Sequence, residues 1–360
     1  MTDRSDEVRG RRAPSIIDVA REAGVSAQTV SRVANGMDIV RPATRDKVLA
    51  AMGRLGYRPN SAARALKTGR FRTIGVVMSG LSSFGNMRTL EAIANESAKS
   101  GYSLALSPLW TIARAGFSGA FVRIAEQAVD GVLVVLEAHE IRASDLVPLA
   151  GIPTVVVTAG DAHPFPTIDI DQAQGARLAT EHLLELGHRT VWHIRGPEDS
   201  FSGHDRAESW AATLRAHGRV VPPLLHGDWS PASGHAAGRR LADDPAVTAV
   251  FAANDEMALG AIRALHDAGR DVPGSVSVVG FDDMEISAQF QPPLTTIHQP
   301  FDRVGTTAVG MLVDQIEGRD SRTPGPVTTT LVVRASTAPP CPPSGQSRAG
   351  SMPGFECGSD

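Results

Sequence analysis

The twenty residues IDVAREAGVSAQTVSRVANG, Ile17 to Gly36, decide how the first part of the chain folds. Ser15 precedes them as a helix cap, and Ile16, Val19, Ala20 and Ala23 recur at helical spacing. Gly24 ends that helix, because glycine takes a turn conformation other residues resist. Ser26 caps a second helix through Ala34, with Val30 and Val33 facing inward. Pro42 suits the first turn of a third helix, whose stripe is Val48, Ala51, Met52 and Leu55. Arg41 stands where a capping Ser is usual, so this helix starts less firmly. Helix, glycine turn, capped helix is the helix-turn-helix pattern, in which the second helix enters the major groove of DNA. Residues 14–58 are expected to form this all-α head.

Charge points the same way. Residues 1–70 hold 14 Lys and Arg against 7 Asp and Glu, whereas the remainder holds 21 against 32. A basic head on an acidic body suits a polyanionic partner. Ahead of the head, residues 1–13 read as a loose Arg-rich arm. Behind it, PNSAARALKTGR (59–70) reads as a connector with too little apolar surface to be helical alone.

From 71 to 337, apolar runs alternate with helical stretches that end at Gly101, Gly187, Gly218 and Gly269. The strands read are Ile74–Met78, Leu104–Ser107, Gly131–Leu136, Thr154–Thr158, Val191–Arg195, Val250–Asn254, Val276–Phe281 and Thr295–Gln299. Runs this apolar belong to parallel sheets buried between helices. Their number predicts two α/β lobes, with a ligand cleft at the carboxyl ends of the strands. Residues 338–360, rich in Pro, Ser and Gly, read as a disordered tail without a leucine heptad.

Composition narrows the function. The chain has 360 residues, 42% hydrophobic and 21% charged, ordinary for a globular protein of two or three units. No apolar run approaches the ~18–20 residues that span a bilayer, and the charged N-terminus has no apolar stretch behind it. No membrane association is expected. Both cysteines, Cys341 and Cys357, fall in the last twenty residues, which excludes a disulfide framework and suits a cytoplasmic location. G-x-S-x-G, G-x-G-x-x-G, P-loop and H-E-x-x-H motifs are absent, and the eleven histidines lack metal-ligand spacing. No enzyme, cofactor or metal is expected; His188 reads as a structural histidine between helix and strand.

The Ile17–Gly36 segment, with TRDKV (44–48) and LGYRPN (55–60), resembles the DNA-binding head of the lactose/galactose-repressor (LacI/GalR) family. The body resembles it too, nearest to the lactose-repressor branch, through HLLELGH (182–188), GDWS (227–230), ANDEMALG (253–260), SVVGFDD (277–283) and PLTTIHQ (293–299). The resemblance covers about residues 15–337. It implies a homodimeric regulator, most often a repressor, bound to palindromic operator DNA and switched by a small-molecule effector, a sugar or glycoside. It also implies a body of the periplasmic-binding-protein fold, its lobes joined by three crossovers: lobe one at about 71–168 and 300–328, lobe two at about 169–299 and 329–337.

By that resemblance Ala27, Gln28 and Arg32 face bases, and Thr29, Ser31 and Asn35 approach phosphates. Gln pairs bidentately with adenine and Arg with guanine, whereas Ala touches only a thymine methyl. Tyr57 and Asn60 belong to the same DNA-binding set. Ala27 replaces an aromatic residue of the lactose-repressor branch, so base preference differs there. The connector matches the family's hinge helix, with Leu66 as the wedge between base steps. In the body, Ser79, Thr158, Arg206, Trp229, Asn254, Asp282 and Gln299 match the effector set. A guanidinium fork, an amide and a carboxylate hold adjacent hydroxyls, and an indole covers a sugar ring. Two alternatives stand beside these roles: Trp229 as a core aromatic, and Asp282-Asp283 as a helix N-cap pair. Thr158 replaces an Asp of the lactose-repressor branch, which leaves glucosides, disaccharides and other glycosides open beside galactosides. The competing function is a carbohydrate-binding module or transport receptor, which needs no basic head.

Overall fold

The structure is a computed structural model that describes residues 14–34, 39–58, 69–79, 81, 83–109, 114–136, 151–157, 165–320 and 323–341. It divides into two compact units between Phe71 and Arg72.

The first unit holds three helices, α1 (Ile16–Ala23), α2 (Ala27–Ala34) and α3 (Pro42–Leu55). Ser15 and Asp18 form a reciprocal capping box at α1, each side chain taking the other's backbone N–H. Gly24 closes α1 at φ +66°, the left-handed conformation the turn needs. Ser26 Oγ accepts the Thr29 N–H at 3.1 Å and so starts α2. Arg41 makes no side-chain capping bond at α3, where Pro42 supplies the first turn. Val19, Val30 and Val48, one from each helix, are fully buried and centre a small core with Ala20, Val33, Ala51 and Met52. Arg54 on α3 pairs with Glu22 on α1 at 3.0 Å.

The second unit is built on two parallel sheets. The first comprises β1 (Thr73–Ser79), β2 (Ser103–Leu109), β3 (Gly131–Val135), β4 (Thr154–Val157) and β5 (Thr167–Ile168) in the order β2-β1-β3-β4-β5. Every residue of β3 and β4 is buried, because helices cover both faces. Among those helices are α4 (Phe84–Lys99), α5 (Arg114–Glu126) and, from far along the chain, α10 (Phe301–Ile316). The second sheet comprises β6 (Trp192–Arg195), β7 (Leu225–His226), β8 (Ala249–Ala252) and β9 (Ser277–Val279) in the order β7-β6-β8-β9. Around it pack α6 (Gln172–Glu185), α7 (Phe201–Ala216), α8 (Pro231–Ala242) and α9 (Asp255–Asp267). A ribbon of β10 (Thr296–His298) and β11 (Thr330–Val332) completes the elements.

The chain passes three times between the sheets: through Asp169–Asp171, from β10 into α10, and through Val327 into β11. Two of these passages pair, with Val327 N–H on Asp169 C=O at 2.7 Å and Asp171 N–H on Val327 C=O at 2.9 Å.

Several elements differ from the sequence reading. Asn254 does not end a strand; β8 stops at Ala252, and Asn254 caps α9 by accepting the Met257 N–H at 2.8 Å. The Thr295–Gln299 run is not an inner parallel strand. It pairs antiparallel with β11, because the chain returns beside it after α10, and it touches the second sheet only through bridges at Val279 and Asp282. The tail does not loosen at residue 338. β9 is an edge strand whose backbone groups need partners. Ser336 supplies them at Val278, whose N–H reaches Ser336 C=O at 2.8 Å and whose C=O accepts from Ser336 Oγ at 2.6 Å; Ala338 continues the contact through the Ser277 side chain, whose Oγ reaches Ala338 C=O at 2.9 Å. The expected arm (1–13), most of the connector and the tail beyond Cys341 lie outside the described residues.

Candidate functional site

The cleft between the two sheets follows from their topology. Parallel strands end side by side, and their carboxyl ends with the following helix N-termini leave a concave, polar surface. A cavity of about 110 Å³ opens there, lined from the first lobe by the start of α4 and from the second by α7, the Trp229 loop and the start of α9.

Arg206 is its organising cation. It is 4% exposed on α7, and its guanidinium lies 3.8 Å over the Phe281 ring and 5.5 Å from the Trp229 ring. Its Nε donates to Gln172 Oε1 at 2.8 Å, and Nη1 donates to the Ala253 carbonyl. Gln172 Nε2 continues to Gln299 Oε1 at 3.1 Å, and Gln299 Nε2 to Asp282 Oδ1 at 2.5 Å. This buried chain of bonds ties α7, α6, the segment after β10 and the segment after β9 together. Asn254 Nδ2 donates to the Trp229 carbonyl at 3.0 Å, holding a residue whose φ of +72° is unusual outside glycine. Asp282 sits at φ +117°, a second strained position in the same cleft.

Of the seven effector residues expected, Arg206, Trp229, Asn254, Asp282 and Gln299 all line this cavity. Ser79 closes β1, and Thr158 lies outside the described residues. Trp229 is half-buried and has both roles: its indole packs against the second-lobe core, stands beside Gly196, where a Cβ would collide with the ring, and lines the cavity. Asp282-Asp283 is not an N-cap pair. Met284 precedes a short 3-10 helix (Glu285–Gln289) without any side-chain cap, and Asp283 instead pairs with Arg334 at 2.6 Å and His298 at 3.1 Å. His188 is structural: it is 1% exposed and bonds Thr248, Ser277 and Ala338, and burial lowers its pKa.

Sequence reasoning missed Gln172 and Asp169. The available signal was position, since both fall where a strand end meets a helix start. Burial pushes the Asp169 carboxyl up to about 7, with Asp205 adding to the rise and the Ile170 N–H and Arg206 opposing it.

On the head, Ala27, Gln28 and Arg32 are exposed along one side of α2, and Thr29 and Ser31 are half-buried beside them. Thr29 Oγ1 lies 2.9 Å from Ser26 Oγ. Tyr57 is half-buried against the head core. Asn35, Asn60 and Leu66 lie outside the described residues. Among the described residues no group of His, Cys, Asp and Glu is placed to hold a metal, and no helix is long and apolar enough to cross a membrane.

A helix-turn-helix head carried in one chain with a two-lobed, cleft-bearing α/β body defines a class: ligand-responsive transcriptional regulators. Comparison with known proteins makes the class particular. Residues 15–60 match the family described as bacterial regulatory proteins, lacI family, and residues 180–337 match a periplasmic binding protein-like domain. The chain is 38% identical over 344 residues to the HTH-type transcriptional regulator CelR of Thermobifida fusca, covering 91% of this chain and 99% of the relative. It is 34% identical over 333 residues to the lactose operon repressor of Escherichia coli K12, covering 91% of each. Among solved structures, a lac repressor dimer bound to operator and the anti-inducer ONPF matches with TM-score 0.82 at 33% identity, over 91% of this chain and 100% of that one. A CelR–cellobiose complex matches with TM-score 0.67 at 34% identity, over 90% and 99%. The chain belongs to the LacI family of bacterial transcriptional regulators.

Proposed function

We propose that this regulator is a cytoplasmic homodimeric repressor that binds a palindromic operator and is switched by a sugar or glycoside held in the cleft. The observation that carries the effector reading is the bonded chain Arg206–Gln172–Gln299–Asp282 beside the Trp229 indole. Guanidinium, amide and carboxylate offer mixed donors and acceptors to neighbouring hydroxyls, and the indole offers a face to a ring. Ser79, Thr158 and Asn254 complete the proposed effector set. Relatives support it: one was solved with cellobiose, another with operator and ONPF.

The proposed DNA-binding set is Ala27, Gln28, Thr29, Ser31, Arg32, Asn35, Tyr57, Asn60 and Leu66. Exposed Gln28 and Arg32 on α2 are the side chains able to read adenine and guanine edges. Selection of bound sequences from a random DNA pool by the full-length protein, followed by challenge with cellobiose or lactose, tests the proposal. The expected result is a palindromic consensus whose occupancy one of these sugars changes. Binding without sequence preference would overturn it.

A further inference from the structure

The cleft carries more acid than the effector set accounts for. Asp169 follows β5 directly and lines the cavity. Its Oδ1 accepts the Ile170 N–H at 2.6 Å, and among the described residues no donor reaches Oδ2. Glu256 and Asp282 line the same cavity, where Arg206 is the cation. Arg206 is already committed to Gln172, the Ala253 carbonyl and the Phe281 face. Three carboxyls around one engaged guanidinium disfavour phosphates and carboxylates and favour an uncharged ligand that donates hydrogen bonds.

We propose that Asp169 is a ligand-reading acid: its Oδ2 accepts a hydroxyl hydrogen from a neutral sugar, and this bond ties effector affinity to proton concentration. The inference rests on the sugar reading given above and deepens it.

The physical basis is dehydration. The Asp169 anion is poorly solvated in the cleft, so the carboxyl holds its proton up to about pH 7. The charged groups around it are Asp205 and Arg206 on α7, Asp171 in its own segment, and Glu256 and Asp282 across the cavity. Burial raises the Glu256 pKa as well. A sugar hydroxyl arriving at Oδ2 supplies a charge-assisted bond that only the ionised form accepts well. The sugar therefore binds the anion, lowers the pKa in the complex, and binds more tightly as pH rises through 7. A ligand carrying a phosphate gains nothing from this acid and is repelled by it.

Titration of full-length protein with cellobiose, lactose and glucose from pH 5.5 to 8.5 tests the inference. For the sugar that binds, affinity is expected to fall several-fold between pH 7 and 6, up to about tenfold per unit for one linked proton, and to level off above 7.5. Asp169→Asn is expected to flatten that slope, and Glu256→Gln to keep it. A second reading needs no variant: in a carbon-13 carboxyl titration of the wild-type chain, one Asp signal should have its midpoint near 7 without sugar and move to lower pH when sugar binds. Sugar binding with a slope unchanged in Asp169→Asn, or lost in Glu256→Gln, overturns this inference and leaves the sugar reading standing. So does an Asp set in which the sugar moves no midpoint. No binding of any of these sugars at any pH overturns both.

Discussion

Gln172 is a residue whose importance lies in what it joins. Its side chain accepts from Arg206 Nε and donates to Gln299, and all three side chains are buried. Gln172→Leu keeps the approximate volume but leaves a guanidinium N–H and an amide oxygen without partners, at about 1–3 kcal/mol for each group stranded. The expected outcome is a lower melting temperature and at least tenfold weaker sugar binding by calorimetry; an unchanged sugar affinity would show that the amide chain is not part of recognition. His193 sets a second residue-level expectation. It is fully buried, stacked on Phe251 at 4.5 Å, and burial pushes its pKa down to about 3. Between pH 6.5 and 3 the unfolded chain takes up a proton that the folded chain refuses, so stability falls as pH falls. Each unit in that window costs about 1.4 kcal/mol from this group. Asp255 acts in the opposite direction over a narrower range: its carboxyl, raised to about 6 by burial, ionises later than in the unfolded chain, so stability falls as pH rises from 3.8 to 6. Equilibrium unfolding of wild type and His193→Phe across pH 4–7 checks this; the variant should lose stability less steeply in acid, keeping only the share from other buried histidines such as His188, and parallel curves would refute it.

At the scale of elements, α2 separates folding from recognition. Val30 and Val33 hold it to the head core, and Gln28 and Arg32 are exposed. Gln28→Ala and Arg32→Ala should leave head stability within about 0.5 kcal/mol. Each should cost roughly 1–3 kcal/mol of operator affinity and relax one base pair per half-site. Competition binding against single-base operator variants reads this out; equal losses on every sequence would place both side chains on the backbone. The same element shows what a sequence makes legible. Its capping Ser26, the turn glycine Gly24 before it and its valine period are local signals, and each falls within one helical turn of its effect. The buried strands β1, β3 and β4 were equally plain, because residues buried on both faces give unbroken apolar runs. β7, two residues with one of them exposed, has no such run. β10 was seen but not its partner, since pairing with β11 depends on where the chain returns more than thirty residues later. Within the cleft, Arg206, Asn254 and Asp282 were legible through the family resemblance. Gln172 was not, because its role depends on a guanidinium 34 positions away.

At the scale of the whole molecule, the proposed switch is a linkage between two ligands. A sugar that binds one arrangement of the lobes better than another shifts operator affinity by that difference alone, and about 1–3 kcal/mol corresponds to 5–150-fold. Operator DNA must then alter sugar affinity by the same factor. Calorimetric titration of sugar with and without operator measures this directly, and equal affinities would rule out the coupling even if both ligands bind tightly. Arg206→Ala is expected to abolish the sugar response through loss of the cleft cation.

The last described residues have a practical consequence for anyone who cuts or extends this chain. Ser336 bonds Val278 C=O and the Thr295 N–H through its hydroxyl, and Ala338 N–H bonds the Ser277 hydroxyl. These few residues act as a hem on an otherwise ready template for another strand. A fluorescent protein or affinity tag added after Cys341 leaves that hem in place, and such fusions should stay soluble and disperse. A chain cut after Ala335 leaves the Val278 N–H and C=O on that border without their Ser336 partners, while Thr295 still bridges Val279, and opens this stretch to other copies in solution. Light scattering of the two preparations at equal concentration should show growing assemblies only in the shortened one.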